Sequence, residues 1–415
     1  MKFYLTVAWR NIIRNKRRSL ITGLAMAISV SLCMAMIGIN DGFYQAFYDV
    51  MVTHRLGHIQ IRHPDFAKSQ SLYDTLEDTD ALLNTISELP TTTASTGRLY
   101  GNGLVSGDGI SNGAQVIGVY PELEQQFSSI QDQIIDGSYL SNTSADGNET
   151  VVGADLAKGL GITVGDEVFV FSQGSDGSMV YDLYQTIGIY KSGNMMTDRS
   201  MQLHVDDAQE LFLLDNRLHE VLVLVEDDTA IVPTQQVLND KPFAQERTTV
   251  SIQTWWESSP QTLELMGFRD VGTTIFLSVV FFIAGFGILN TMVMSVFERT
   301  TEIGLLKALG LRPYQIVWLV VLEVIILSTI AGIIGFATGV GLDLYLINFG
   351  IDISNGTAEP VAIMGAYLEP RVFAVIKEDL FFTPVVSLFS ISVLASIWPA
   401  IRASQLNPIT ALRSE

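Results

Sequence analysis

Five histidines and a scatter of serines are the residues best able to do chemistry in this 415-residue chain. His54, His58 and His63 lie close together, and on a helix His54 and His58 would share a face as a metal pair. Gly57, the alternating stretch 58–62 and Pro64 break that geometry, and no nearby cysteine or carboxylate completes a ligand set. Solvated polar side chains are therefore expected there. No serine has a G-x-S-x-G setting, and His204 and His219 have no recognisable partners. The segment Gly107–Gly113 is glycine-rich but lacks the lysine and the following helix of a phosphate loop, which makes it a turn. The single cysteine, Cys33, excludes an intramolecular disulfide and any multi-thiolate metal centre. No catalytic, cofactor or metal site is expected within the chain.

Two other features place charge or small residues where they matter. Glu323 sits inside a long apolar stretch, where a carboxylate is costly and by default marks function. Without a proton-relay partner it is read as a glutamate that fixes helix packing. Gly332, Gly335, Gly339 and Gly341 share that stretch, and Gly335 and Gly339 have the spacing that lets helices approach closely, within the chain or across a dimer. The most informative short segment is Glu298–Gly310. Ile303 and Leu306, and Leu305 and Leu309, are spaced as the apolar side of a short helix, with Glu298, Arg299, Glu302 and Lys307 on the polar side. Glu298 and Glu302 repel mildly at i,i+4, offset in part by Arg299. Such a helix either lies on lipid or docks into a partner.

The elements that must carry these residues follow from composition. The chain is 48% hydrophobic and 16% charged, with a formal net charge of -20 and a positive mean hydropathy of +0.32. That pairing suggests apolar spans plus an acidic water-facing part, and it disfavours nucleic acid as a partner. Four stretches approach or exceed the roughly 20 residues needed to cross a bilayer: Ser19–Ile39, Val271–Phe297, Pro313 to Ile347, and Leu380–Ile401. The first is too long for a signal-peptide core and is read as an uncleaved anchor. Residues 1–18 carry six basic and no acidic side chains; with 298–312 and 402–415 they hold 11 of the 24 basic residues but only 3 of the 44 acidic ones. By the positive-inside rule these segments face the cytoplasm.

The expected order is thus a cytoplasmic amphipathic helix (1–18), span one (19–40), an external domain with stalk helices (41–270) and span two (271–297). A cytoplasmic segment (298–312), span three (313–347), an external loop (348–379), span four (380–402) and a cytoplasmic tail (403–415) follow. In the external domain, a strand is expected after Gly57, where Ile59 and Ile61 alternate with polar neighbours, and further strands at Ala114–Val119, Glu167–Ser172, Tyr184–Tyr190, Ser200–Val205 and Val221–Val225, with helices at Thr79–Leu89, Gly153–Leu160 and Asp206–Leu214. Ser138–Thr150 reads as a loop, and Ile252–Gly267 as the start of a returning stalk helix. Elements mixed without regular alternation suggest an α+β domain in two lobes, held together by packing since it has no cysteine.

Four segments resemble the FtsX-like permeases of MacB-type ABC transporters, a family that includes the lipoprotein-releasing LolC and LolE subunits. They are Ala8–Thr22, Val151–Glu167, Glu298–Gly310 and Pro399–Arg413, in that order along the chain. Gly188–Gly193 with Asp198-Arg199-Ser200, and Trp255–Pro260, resemble the LolC/LolE side more closely, although Asn194–Thr197 departs from it. The resemblance implies four transmembrane helices with a MacB-like periplasmic core domain between helices one and two, in the cell inner membrane. It implies a separate cytoplasmic ABC ATPase that binds ATP and magnesium, a second permease copy or paralogue, and membrane lipid as partners. Glu298, Arg299, Glu302, Ile303, Gly304, Leu306 and Lys307 would form the ATPase-coupling segment, and Glu323, Gly332, Gly335 and Gly339 would serve packing. Lipoprotein or another envelope substrate is the implied cargo, handled outside by mechanotransmission. The competing reading is an FtsX-like regulator that activates a periplasmic partner such as a cell-wall hydrolase.

Overall fold

The computed structural model describes residues 2–142, 148–192, 194–245, 249–354, 356–357, 361–363, 366–377 and 382–407. Parts of the expected 138–150 loop, of the 348–379 loop, of the Pro399–Arg413 ending and of the tail lie outside the described residues, as does Gly193. The chain divides into two compact units.

The first unit comprises Met1–Gln45, Met266–Ile353 and Arg371–Glu415. Its helices are α1 (Lys2–Arg14), α2 (Lys16–Tyr48), α3 (Pro260–Glu298), α4 (Thr300–Ala308), α5 (Pro313–Phe349) and α6 (Thr383–Ser404). Among the described residues, α2, α3, α5 and α6 are long and apolar enough to cross a membrane. They pack through an apolar core that includes Met26, Val30, Phe281, Ile288, Val324 and Leu388. Coverage is uneven. The most apolar stretch of α2 or of α5 is 44% buried, whereas that of α3 is only 11% buried, so residues such as Phe282 and Ile283 are left for lipid or another protein.

Gly335 and Gly339 decide how α2 meets α5. A Cβ on Gly335 would lie 2.6 Å from the Ala27 carbonyl oxygen and 2.9 Å from Val30 Cβ, and one on Gly339 would lie 2.6 Å from Met34 Sδ. The small-residue seam is therefore filled by α2 of the same chain. Gly332 makes only an ordinary contact with Val385, and a Cβ on Gly341 would meet nothing within 4 Å among the described residues.

The second unit, Ala46–Leu265 with Ser354–Pro370, is built on a ten-stranded sheet. Its strands are β1 (Ile59–Arg62), β2 (Thr92–Gly107), β3 (Ile110–Val119), β4 (Ile134–Gly137), β5 (Glu149–Gly153), β6 (Glu167–Gln173), β7 (Met179–Tyr190), β8 (Ser200–His204), β9 (Glu220–Val225) and β10 (Ser251–Thr254). The order is β10-β1-β9-β2-β3-β8-β5-β7-β4, and β6 pairs with both β2 and β7. Six strands consequently form a closed cycle of pairings, β2-β3-β8-β5-β7-β6, while β9, β1 and β10 extend from β2 as an open wing. Two separate lobes are thus replaced by two regions that share one strand. The sixteen-residue β2 was not expected: its sequence, with Gly97, Gly101 and Gly103, lacks apolar alternation. Two of those glycines are needed for packing. A Cβ on Gly101 would lie 2.0 Å from the Phe212 ring, so the strand can pass directly under the helix Val205–Phe212. Between β2 and β3 the chain turns at Asp108 and Gly109, both at positive φ, which is the geometry of a tight hairpin.

Two expectations at element boundaries change. Ser251–Thr254 is a strand paired with β1 and not the start of a helix. The helical turn Trp255–Ser258 begins only after Thr254, where a capping box with Glu257 starts it. The helix Asp228–Asn239 was not foreseen either, because Pro233 lies within it. Its start is nonetheless written in Asp227, whose carboxylate accepts from the backbone N–H groups of Thr229 (2.8 Å) and Ala230 (3.1 Å).

Candidate functional site

The segment Glu298–Ala308 sits in a network of six charged side chains, three basic and three acidic. Arg14, at the end of α1, pairs with Glu302. Arg18, at the start of α2, reaches Glu298 (3.2 Å) and Glu323 (3.4 Å). Arg299 donates through Nε to Glu302 (3.1 Å) and through Nη1 to Glu323 (3.0 Å). Glu298 and Glu302 therefore have separate arginine partners, and their mutual repulsion is offset from α1 and α2 as well as by Arg299. Burial by itself would raise the Glu302 carboxyl, but hydrogen bonds and charge from Arg299 and Arg14 hold it below the usual carboxylate range.

Glu323 is 5% exposed and was read above as a packing residue. The structure gives it two guanidinium partners instead, which makes it the buried anchor of the network. Removing one partner of such a buried group typically costs on the order of 3–5 kcal/mol, because a charge is left uncompensated. Lys307 is fastened by a different device. Its ammonium donates to the carbonyls of Ser404 (2.9 Å) and Leu406 (2.5 Å), at and just past the end of α6, where a cation satisfies orphan acceptors.

The apolar residues of α4 divide in two. Ile303 and Gly304 are buried, with Ile303 in the same core as Ile316, Ala400 and Ala403. Leu306 is half-buried. Leu305 and Leu309 are 52% and 73% exposed. Ile303 thus faces the chain's own helices, and the surface open to a partner is formed by Leu305 and Leu309. Arg14 and Arg18 escaped the reading of this site, having been counted only as part of a basic N-terminal run. Their spacing of four residues was the available signal.

At the other end of the same unit, Asp41 on α2 pairs with Arg269 on α3, and Asn40 Nδ2 donates to Thr273 Oγ1 at 2.8 Å. Asp343 on α5 is 1% exposed, and its Oδ1 lacks a hydrogen-bond partner among the described residues.

Of the three histidines expected to be solvated, the side chain of His54 lies outside the described residues, and His58 departs from the expectation. His58 is buried, and its Nδ1 accepts from the Val225 N–H at 3.0 Å. Burial lowers its pKa, opposed by Asp228. His219 is fully buried; its Nδ1 accepts from the Tyr100 N–H at 3.0 Å, and its Nε2 lies 3.3 Å from the Leu72 carbonyl. His63 lies 3.7 Å from Asp74, and His204 caps the helix Val205–Phe212. These rings satisfy backbone groups or neighbouring carboxylates.

A bundle of four long apolar helices with an ion-paired loop, interrupted by a large α+β insertion, is the architecture of a membrane permease. Residues 19–241 match the MacB-like periplasmic core domain and residues 274–408 the FtsX-like permease C-terminal domain, and the chain belongs to this family of ABC transporter permeases. It is 25% identical to the lipoprotein-releasing system transmembrane protein LolC of Neisseria meningitidis serogroup B, over 75% of this chain and 76% of that protein. An uncharacterized ABC transporter permease of Methanocaldococcus jannaschii is 24% identical over 99% of this chain and 98% of its own length. The macrolide export ATP-binding/permease protein MacB of Bdellovibrio bacteriovorus is 25% identical over 99% of this chain, which spans 62% of that longer protein.

Proposed function

We propose that this permease couples ATP hydrolysis by a separate cytoplasmic ATPase to movements of its periplasmic domain, and that α4 is the docking element. The observation that carries the reading is the combination of a fastened helix with an open apolar surface. Arg14, Arg18, Arg299 and Lys307 tie Glu298–Ala308 to α1, α2, α5 and the end of α6, while Leu305 and Leu309 remain exposed. A push on α4 would then be felt by each of these helices together. A lipid-facing α4 would need no such fastening, because its apolar side would be held by the bilayer.

In this reading both the N-terminal segment and the α4 loop face the cytoplasm, the α+β domain faces the periplasm, and the protein resides in the inner membrane. ATP and magnesium are bound by the partner ATPase, and no catalytic step is assigned to this chain. A second permease copy or paralogue completes the transporter. The cargo is a lipoprotein or another envelope substrate, handled on the outer side without passage through a pore.

The test is co-purification with the cognate ATPase. Leu305→Asp with Leu309→Asp should abolish ATPase retention and leave the melting temperature of the solubilised permease within a few degrees of the parent. Ile303→Ala should instead lower the melting temperature, by removing buried apolar volume at a cost of about 2–5 kcal/mol. Retention of the ATPase by the double aspartate variant would remove α4 as the docking element. Recovery of a cell-wall hydrolase with the complex would favour the regulatory role over transport.

A further inference from the structure

The two faces of the ten-stranded sheet differ in kind. Strand register places Ile61, Val221, Leu99, Val116 and Leu203 on the face that packs against helices, and all are fully buried. The alternate residues point the other way. Arg62 stands opposite Glu220, and Glu220 opposite Arg98; Tyr100 stands opposite Ile117, and Ile117 opposite Gln202. A cavity of about 550 Å³ opens over this polar face, lined wholly from the second unit. Its size lies within the roughly 300–1,000 Å³ of small-ligand sites.

A face so rich in guanidinium, carboxyl and amide groups is a poor hydrophobic core, since each buried polar group must find partners. Arg98 finds them: Nη2 and Nε donate to Glu124 Oε1 at 2.6 and 3.1 Å, and Nη1 donates to the Arg55 carbonyl at 3.0 Å. Gln60 is only half satisfied. Its Nε2 donates to the Leu56 carbonyl at 2.8 Å, while its Oε1, on a side chain 1% exposed, has no partner among the described residues. Arg62 donates to the neutral Gln253 Oε1 at 3.0 Å. Neither Arg55 nor Arg62 has a carboxylate within ion-pair distance among the described residues. Burial raises the Glu220 carboxyl, opposed by Arg98 and Arg62.

We propose that this cavity binds a short acidic peptide segment, with Arg55 and Arg62 meeting its carboxylates and the amides of Gln60, Asn102, Gln115 and Gln202 meeting its main chain. The guanidinium fork matches a carboxylate, and side-chain amides offer the donor and acceptor pairs that a peptide backbone presents. A sugar is less suited. The two aromatic rings of the lining, Phe66 and Tyr100, stack on each other at 6.0 Å, which uses the faces a pyranose would need.

The test uses the full-length chain in lipid nanodiscs without any ATPase, so its outcome is separate from that of the coupling proposal. Fluorescein-labelled Gly-Glu-Ala-Asp and its amide counterpart Gly-Gln-Ala-Asn are titrated by fluorescence anisotropy, with galacturonate as competitor. The acidic peptide should bind at least tenfold more tightly than the amide. Arg55→Gln, at an exposed position, should remove that difference. Asn102→Trp, at the exposed edge of the cavity, should weaken both peptides at least tenfold by filling it. Equal binding of the two peptides, no binding, or an unchanged preference in Arg55→Gln overturns the proposal. Displacement by galacturonate at lower concentration than by unlabelled peptide overturns the peptide assignment.

Discussion

His219 shows how a single side chain can set the acid stability of the α+β domain. Its Nδ1 accepts the Tyr100 N–H, so the neutral ring must carry its proton on Nε2 and donate toward the Leu72 carbonyl. Protonating Nδ1 would break the first bond and place a cation in a fully buried site. Burial accordingly pushes the imidazole down to about 4, opposed by the Leu72 hydrogen bond and by Asp74. The unfolded chain takes up this proton at its ordinary value, about 6.5. Stability from the neutral ring is therefore present above about 6.5 and lost as the pH falls toward 4, by on the order of 3 kcal/mol. Melting temperatures of the parent should drop over that window by several degrees more than those of His219→Gln, which keeps an acceptor and a donor but does not titrate. Parallel curves for the two proteins would show that His219 does not carry the effect. In the sequence His219 stood in no motif, since its partners are a backbone amide and a carbonyl that any residue could supply.

At the scale of elements, the close approach of α2 and α5 rests on two glycines and not on the whole glycine-rich stretch. A methyl group at Gly335 would meet a backbone carbonyl at 2.6 Å, which cannot rotate away, whereas one at Gly341 would meet open space. Gly335→Ala should destabilise the solubilised protein by about 1–3 kcal/mol through overpacking. Gly341→Ala should be neutral or stabilising by up to about 1 kcal/mol, from helix propensity. Thermal unfolding of the two variants in the same detergent decides the matter; equal effects would remove the seam as a packing determinant. The spacing of Gly335 and Gly339 was legible, but their partner was not, because small-residue spacing marks a face and says nothing of what covers it. The same holds for α4. Its apolar periodicity gave a helix with an apolar side, yet Ile303 faces the core and Leu309 faces outward, a division set by where α5 and α6 lie.

For the molecule as a whole, charge is sorted by segment. The basic residues of 1–18 and 298–312 contrast with an acidic remainder, and this contrast sets the expected orientation. Cys33 is fully buried, so single cysteines can report on topology against a silent background. A membrane-impermeant maleimide should label Asp108→Cys, in the β2–β3 hairpin, in spheroplasts. It should label Leu309→Cys only after permeabilisation. The reverse pattern would invert the orientation and with it the side on which an ATPase could dock.

Run lengths of apolar residues, the partition of charge and the alternation within most strands are properties of the chain taken in order, and the sequence alone determined them. Four long apolar helices and six of the ten sheet strands were readable for that reason. What only the tertiary structure decided are meetings between residues remote in the chain. Glu323 is bound by guanidiniums 24 and 305 residues away. The polar sheet face gathers Gln60, Arg98, Gln202 and Glu220 through a strand order that departs from chain order. Burial and pairing energies depend on distance in space, and no one-dimensional pattern encodes which of many arginines or strands will be brought close.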